Sequence, residues 1–159
     1  MRYKEGTLFI IPLTHGYGAC QYVWKDARFG NLFKLYSDIV HSRLELEERG
    51  ATLQFKEWAY INIAGMFRTW QRIGVYPIVD PKMPTGIFYG DEDQCGIVEI
   101  SLHEGEYKEV RHSLGTITEK ELLDRGYVNQ CLWLAQNIAQ SIEDGRSINC
   151  YWGKKTDQS

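Results

Sequence analysis

Gly6-Thr7-Leu8-Phe9-Ile10-Ile11-Pro12-Leu13, then Thr14-His15-Gly16-Tyr17-Gly18, then Ala19-Cys20-Gln21-Tyr22-Val23-Trp24: this stretch decides how the chain is read. An apolar run of strand length ends at a proline, a glycine-bracketed turn follows, and a second run ends in Val-Trp. That order is a β-hairpin. Pro12 has no N–H for a sheet ladder and belongs at an edge or a strand's exit. Gly16 and Gly18 supply the freedom that a tight reversal needs. Phe9, Ile10, Ile11, Tyr22, Val23 and Trp24 suit a half-buried pleated surface. A lone hairpin is marginal in water, so later segments must pack on it.

Working outward, 159 residues make one ordinary domain over 1–159. Hydrophobic content of 43% and charged content of 25% are near globular averages. An aromatic content of 13% points to a β-rich core and to aromatic side chains available for contact. The formal net charge of −3 argues against a nucleic-acid footprint and against adhesion to an anionic membrane. No apolar run approaches the roughly 20 residues that span a bilayer. The N-terminus, Met1-Arg2-Tyr3-Lys4-Glu5-Gly6, has no apolar signal segment, so cytoplasmic residence is expected. Cys20, Cys95, Cys131 and Cys150 form no Cys-x-x-Cys pair and read as free thiols in a reducing compartment; two disulfides in a secreted protein are the alternative.

Further strands are expected at Leu32–Val40, around Leu53–Phe55 and Trp58–Ala64, and at Cys95–Leu102. The pattern of Leu32–Val40 does not alternate, which implies burial on both faces or a bulge. His41–Gly50 reads equally as a short helix stopped by Gly50 or as a solvated loop. A short strand, or a turn into one, is expected between Gly65 and Gly74. Val75–Pro84 holds three of the four prolines and reads as an extended loop at a sheet edge. Ile87-Phe88-Tyr89 is a brief apolar stub, Gly90–Gln94 an acidic turn, and Glu104–His112 a solvated polar segment.

Then the period changes. Thr118-Glu119-Lys120-Glu121 is a capping box, opening a short helix to Gly126. From Val128, apolar residues at 128, 131, 132, 135, 138, 139 and 142 form an amphipathic helical stripe, with Gly145 at the C-cap position. Ile148–Trp152 reads as a final strand and 153–159 as a frayed tail.

Constellations for chemistry are sparse. His15, His41, His103 and His112 are scattered in expected loops, with no close ligand spacing. Gly16-Tyr17-Gly18 lacks the third glycine and the following helix of a phosphate cradle. No catalytic, cofactor or metal-binding residue is assigned. Three acidic clusters remain: Glu45/Glu47/Glu48, Asp91/Glu92/Asp93 and Glu104/Glu106/Glu109. Each alone reads as a solvated face; together they suggest a negative patch that docks a basic partner.

Lys4–Leu13 with Gly16-Tyr17-Gly18 resembles the opening of the immunity protein 26 family. Thr69-Trp70-Gln71-Arg72-Ile73-Gly74 with Pro77-Ile78 is similar to that family's central element, and Pro84–Phe88 leading into Ile97–Ile100 is a further match. Thr7 stands where the family usually has Asp. The resemblance implies a cytoplasmic antidote of a bacterial polymorphic toxin system, which binds and neutralises a cognate toxin domain. It brings no catalytic residues.

The expected fold is α+β: a twisted antiparallel, partly barrel-like sheet from residue 6 to about 102, with C-terminal amphipathic helices packed on it. The expected partner is a toxin domain, with nucleases among the candidates, met through Asp91, Glu92, Asp93, Glu104 and Glu106. Two other readings stand beside it. One is a small enzyme whose site gathers around Cys95, His103 and His112. The other is a small nucleic-acid-binding barrel that stacks bases on its aromatic side chains.

Overall fold

A computed structural model of the protein describes residues 3–63, 69–79, 83–91, 96–103, 106–113, 115–130 and 133–150. The fold is α+β, mostly sheet, as the sequence predicts. The chain gathers into two compact units, Met1–Pro81 with Leu132–Ile148, and Lys82–Cys131 with Asn149–Ser159.

The first unit is built on the hairpin. Strand β1 (Thr7–Pro12) pairs antiparallel with β2 (Tyr17–Asp26), setting Ile10 opposite Ala19 and Pro12 opposite Tyr17. Pro12 thus closes the strand, as its missing N–H requires. Gly16 takes φ 98°, and the N–H of Leu13 donates to its carbonyl at 3.0 Å. Gly18 sits inside β2 and serves differently: a Cβ there would come 3.2 Å from the Ile142 side chain. Bareness at that point admits a helix.

Strand β3 (Gly30–Tyr36) adds beside β2, and β4 (Phe55–Ile61) beside β3; β5 (Gln71–Val75) pairs with β1. The order β4-β3-β2-β1-β5 is an open sheet, not a barrel. Val23 is the extra residue where the β2–β3 register shifts. Every residue from Leu32 to Tyr36 is buried, the burial on both faces that the absence of alternation implies. Helix α1 (Arg43–Arg49) forms where helix and loop were equally expected. Ser42 Oγ accepts from the N–H of Glu45 at 3.1 Å, capping the first turn.

The two faces of this sheet are filled differently. Leu8, Ile10, Ala19, Tyr36 and Val40 pack with Leu46 of α1. Alternation puts Phe9, Tyr22 and Phe33 on the other face, with ring centroids 6.0 Å apart for Phe9–Phe33 and 5.5 Å for Tyr22–Phe33. Helix α3 (Ala135–Asp144) covers that face through Ile142. Gly145 ends it at φ 66°, the left-handed cap its position predicts. The stretch before α3 seals the edge of β4. Trp133 bridges Ile61, its N–H donating to the Tyr60 carbonyl at 3.1 Å and its carbonyl accepting from Asn62 at 2.9 Å.

The second unit carries a four-stranded sheet of order β8-β7-β6-β9. Strands β6 (Gly86–Asp91), β7 (Gly96–His103) and β8 (Glu106–His112) form an antiparallel meander. Strand β9 (Tyr127–Asn129) pairs parallel with β6. Helix α2 (Glu119–Asp124) opens with the expected capping box at Thr118, and Leu122 packs with Phe88 and Ile117.

Five expectations are corrected. The apolar stub at Ile87-Phe88-Tyr89 is the middle of β6, and the solvated segment Glu104–His112 contains β8. The sheet expected from residue 6 to about 102 is two sheets, the second reaching Asn129. The helical stripe does not begin at Val128: that residue is in β9, and the helix begins at Ala135. The final strand is instead a short 3₁₀ turn, Ile148–Cys150, with Tyr151 and Trp152 outside the described residues.

Candidate functional site

Two of the five acidic candidates fall within the described residues. Glu92, Asp93 and Glu104 lie outside them. Asp91 ends β6 opposite Gly96, the first residue of β7. Glu106 begins β8, exposed, opposite His103, the last residue of β7. The two acidic positions therefore stand at opposite ends of an eight-residue strand, roughly 23 Å apart. They form two acidic ends rather than one patch.

The other acidic cluster is largely neutralised within α1. Arg43 pairs with Glu47 at 3.1 Å, and Arg49 pairs with Asp38 and reaches Glu45 at 3.9 Å. Its spacing, i to i+4 on a short helix, is that of a self-paired face.

Between the acidic ends runs the feature that sequence reading missed. Strand β8 is exposed at every residue from Glu106 to Arg111, and only His112 is half-buried. Tyr107, Glu109 and Arg111 project on one side; Glu106, Lys108, Val110 and His112 on the other. Tyr107 is 41% exposed and Val110 37%, large for apolar side chains in a sheet. Glu109 and Arg111 pair at 3.0 Å along the strand. β8 is terminal in its sheet and has one strand neighbour, β7, among the described residues.

One buried polar group ties this strand down. Glu99 of β7 accepts from His112 Nε2 at 2.7 Å and from the Tyr127 hydroxyl, so one carboxylate links β7, β8 and β9. An ionised carboxylate only accepts, so Nε2 carries the proton. The Ser101 hydroxyl meets the same phenol from the same face of β7. Gly86 makes this reach possible. A Cβ there would lie 2.9 Å from the Tyr127 ring and 2.7 Å from the Ile100 carbonyl.

Burial pushes the Glu99 carboxyl up. Hydrogen bonds from His112 and Tyr127, then the charges of His112 and Arg125, outweigh it and hold the carboxyl below its ordinary range. Burial, and then the bond to Glu99, raise the Tyr127 phenol. Glu99 is thus an ionised acceptor with two donors fixed on it, an arrangement that positions strands. A signal for it existed in part: a lone Glu in the apolar run Ile97–Leu102 must find donors if buried.

A second buried network belongs to the first unit. Gln21 donates to the carbonyls of Gly6 at 3.1 Å and Tyr76 at 2.9 Å and accepts from the Tyr36 hydroxyl at 2.7 Å. Burial, with a smaller contribution from Cys20, pushes the Tyr36 phenol up to about 12. These groups pin the proline-rich stretch after β5 to the hairpin.

Of the residues considered for an enzyme, His112 is the one placed in a polar cluster; His103 ends β7, and Cys95 lies outside the described residues. Cys20 is a buried free thiol and Cys150 is half-buried; Cys131 lies outside the described residues. Among the described residues no three His, Cys, Asp or Glu side chains gather as metal ligands, and no helix is long and apolar enough to cross a membrane. Comparison with protein-family models, curated proteins and solved structures finds no match.

Proposed function

We propose that this chain is a binding protein, acting in the cytoplasm, that neutralises a bacterial toxin domain by covering its active surface. The reading takes its direction from the likeness of the hairpin and of the Trp70–Gly74 element to immunity protein 26 sequences. The observation that carries it is β8, a strand whose side chains from Glu106 to Arg111 are all exposed. Such a strand adds little to a core. It offers a contact surface that mixes both signs of charge with an aromatic ring and an aliphatic side chain, the composition of a polar protein–protein interface. The acidic ends at Asp91 and Glu106 suit a partner with basic groups, such as a nuclease cleft. The chain's own side chains make and break no bonds in this role.

Co-expression tests it directly. Produced with the toxin domain encoded beside its gene, the chain should restore growth and co-purify with that domain. A chain that neither protects the cell nor co-purifies overturns the reading.

A further inference from the structure

We infer that the outer edge of β8 is a docking strand, on which the partner lays an extended segment of its own chain, antiparallel, as a fifth strand of the second sheet. The inference rests on the binding role above and gives it a mode and a partner chemistry.

Three observations converge. First, β8 ends the order β8-β7-β6-β9, so its outer side is the sheet's open edge among the described residues. Adding a strand there uses main-chain hydrogen bonds for affinity and side-chain rows for choice. Second, the edge is held in shape beforehand. His112 is bonded to Glu99, and Gly96 meets His112 so closely that a Cβ would lie 2.0 Å from its carbonyl oxygen. A strand already paired and anchored spares the ordering cost that weakens binding to loose segments.

Third, the charges choose the occupant. From Glu106 to Arg111 the row runs acidic, aromatic, basic, acidic, aliphatic, basic. Directly opposed side chains of opposite charge stabilise an antiparallel pair, and like charges destabilise it. The complementary strand, read from its own N-terminus, is therefore acidic, apolar, basic, acidic, apolar, basic. A second copy of this chain is a poorer fit. Its β8 carries the same order of charges, but two copies meeting through the same edge can oppose only residues of the same parity, so Lys108 cannot face Glu109 nor Glu106 face Arg111, and full-length self-pairing sets Glu109 against Glu109. Edge charges of this kind discourage indiscriminate pairing and leave a matched partner favoured.

The test uses two cyclised hairpin peptides and the whole chain. One peptide presents Glu-Val-Lys-Glu-Val-Lys on its free edge; the other is its charge-reversed twin. In an NMR titration the matched peptide should bind about tenfold tighter than its twin, with amide shifts centred on 106–112. The double variant Lys108→Glu, Glu109→Lys changes exposed side chains only, keeps the net charge, and should erase that preference. Equal binding of both peptides to the unaltered chain, or a preference that survives the double variant, overturns the docking strand. So does a concentration-dependent dimer that the variant abolishes, since the occupant would then be a second copy. The two proposals fail separately. A toxin domain neutralised equally well by the double variant removes the edge and leaves the antidote role. Peptide discrimination with no toxin neutralised removes that role and leaves the edge.

Discussion

At the scale of single residues, the most informative position is Glu99. Its carboxyl is held below its ordinary range by His112 and Tyr127 in spite of burial. A depressed carboxyl stabilises the fold above its unfolded value of about 4.3, and the contribution disappears as pH falls through the lower folded value. Glu99→Gln should therefore cost about 1–2 kcal/mol in urea unfolding at pH 7. The gap between variant and parent should narrow as pH falls below the ordinary carboxylate range and close once the parent's carboxyl also takes up a proton. A gap of equal size at pH 7 and at pH 3 would show that the charge on Glu99 contributes nothing.

At the scale of elements, legibility followed burial. The hairpin, the capping box at Thr118 and the cap at Gly145 were readable because each rests on local chemistry that residue type alone reports. The beginning of α3 was not. Leu134 at its N-cap makes no side-chain cap bond, and Val128 of β9 falls by coincidence on the helix's apolar period. Strand β8 was illegible for a different reason. Exposed on both faces, it has no apolar side to alternate with a polar one, and its pairing with β7 leaves no mark in Glu106–Arg111. The cue lay instead in Gly96, where β7 and β8 approach too closely for any side chain. Gly96→Ala should accordingly loosen the β7–β8 pair while sparing the first unit. Hydrogen exchange would show faster amides at 106–112 and unchanged ones in β1 to β3. Uniform protection across both groups would rule that out.

For the whole molecule, the acidic candidates were legible as residue types but not as an arrangement. One sequence offers three acidic clusters, and only pairing reveals that α1 neutralises its own while Asp91 and Glu106 stand at the two ends of β7. With a net charge of −3, long-range attraction should speed encounter with a basic toxin domain of the kind proposed as the partner. Raising salt from 50 to 500 mM should slow association about tenfold or more and change dissociation far less, as stopped-flow mixing would show. An association rate indifferent to salt would remove charge steering from the account.

The edge of β4 is sealed by Trp133, and Glu57 accepts from the Ser147 hydroxyl at 2.6 Å and the Ile148 N–H at 2.8 Å. These closing contacts come from a segment made only after β6 to β9 of the second unit. On the ribosome the hairpin and its sheet must wait, one flank open, until translation has passed through residues 82–131. The nascent chain is therefore most vulnerable to mispairing late in synthesis, and a pause placed before codon 133 would lengthen that exposure.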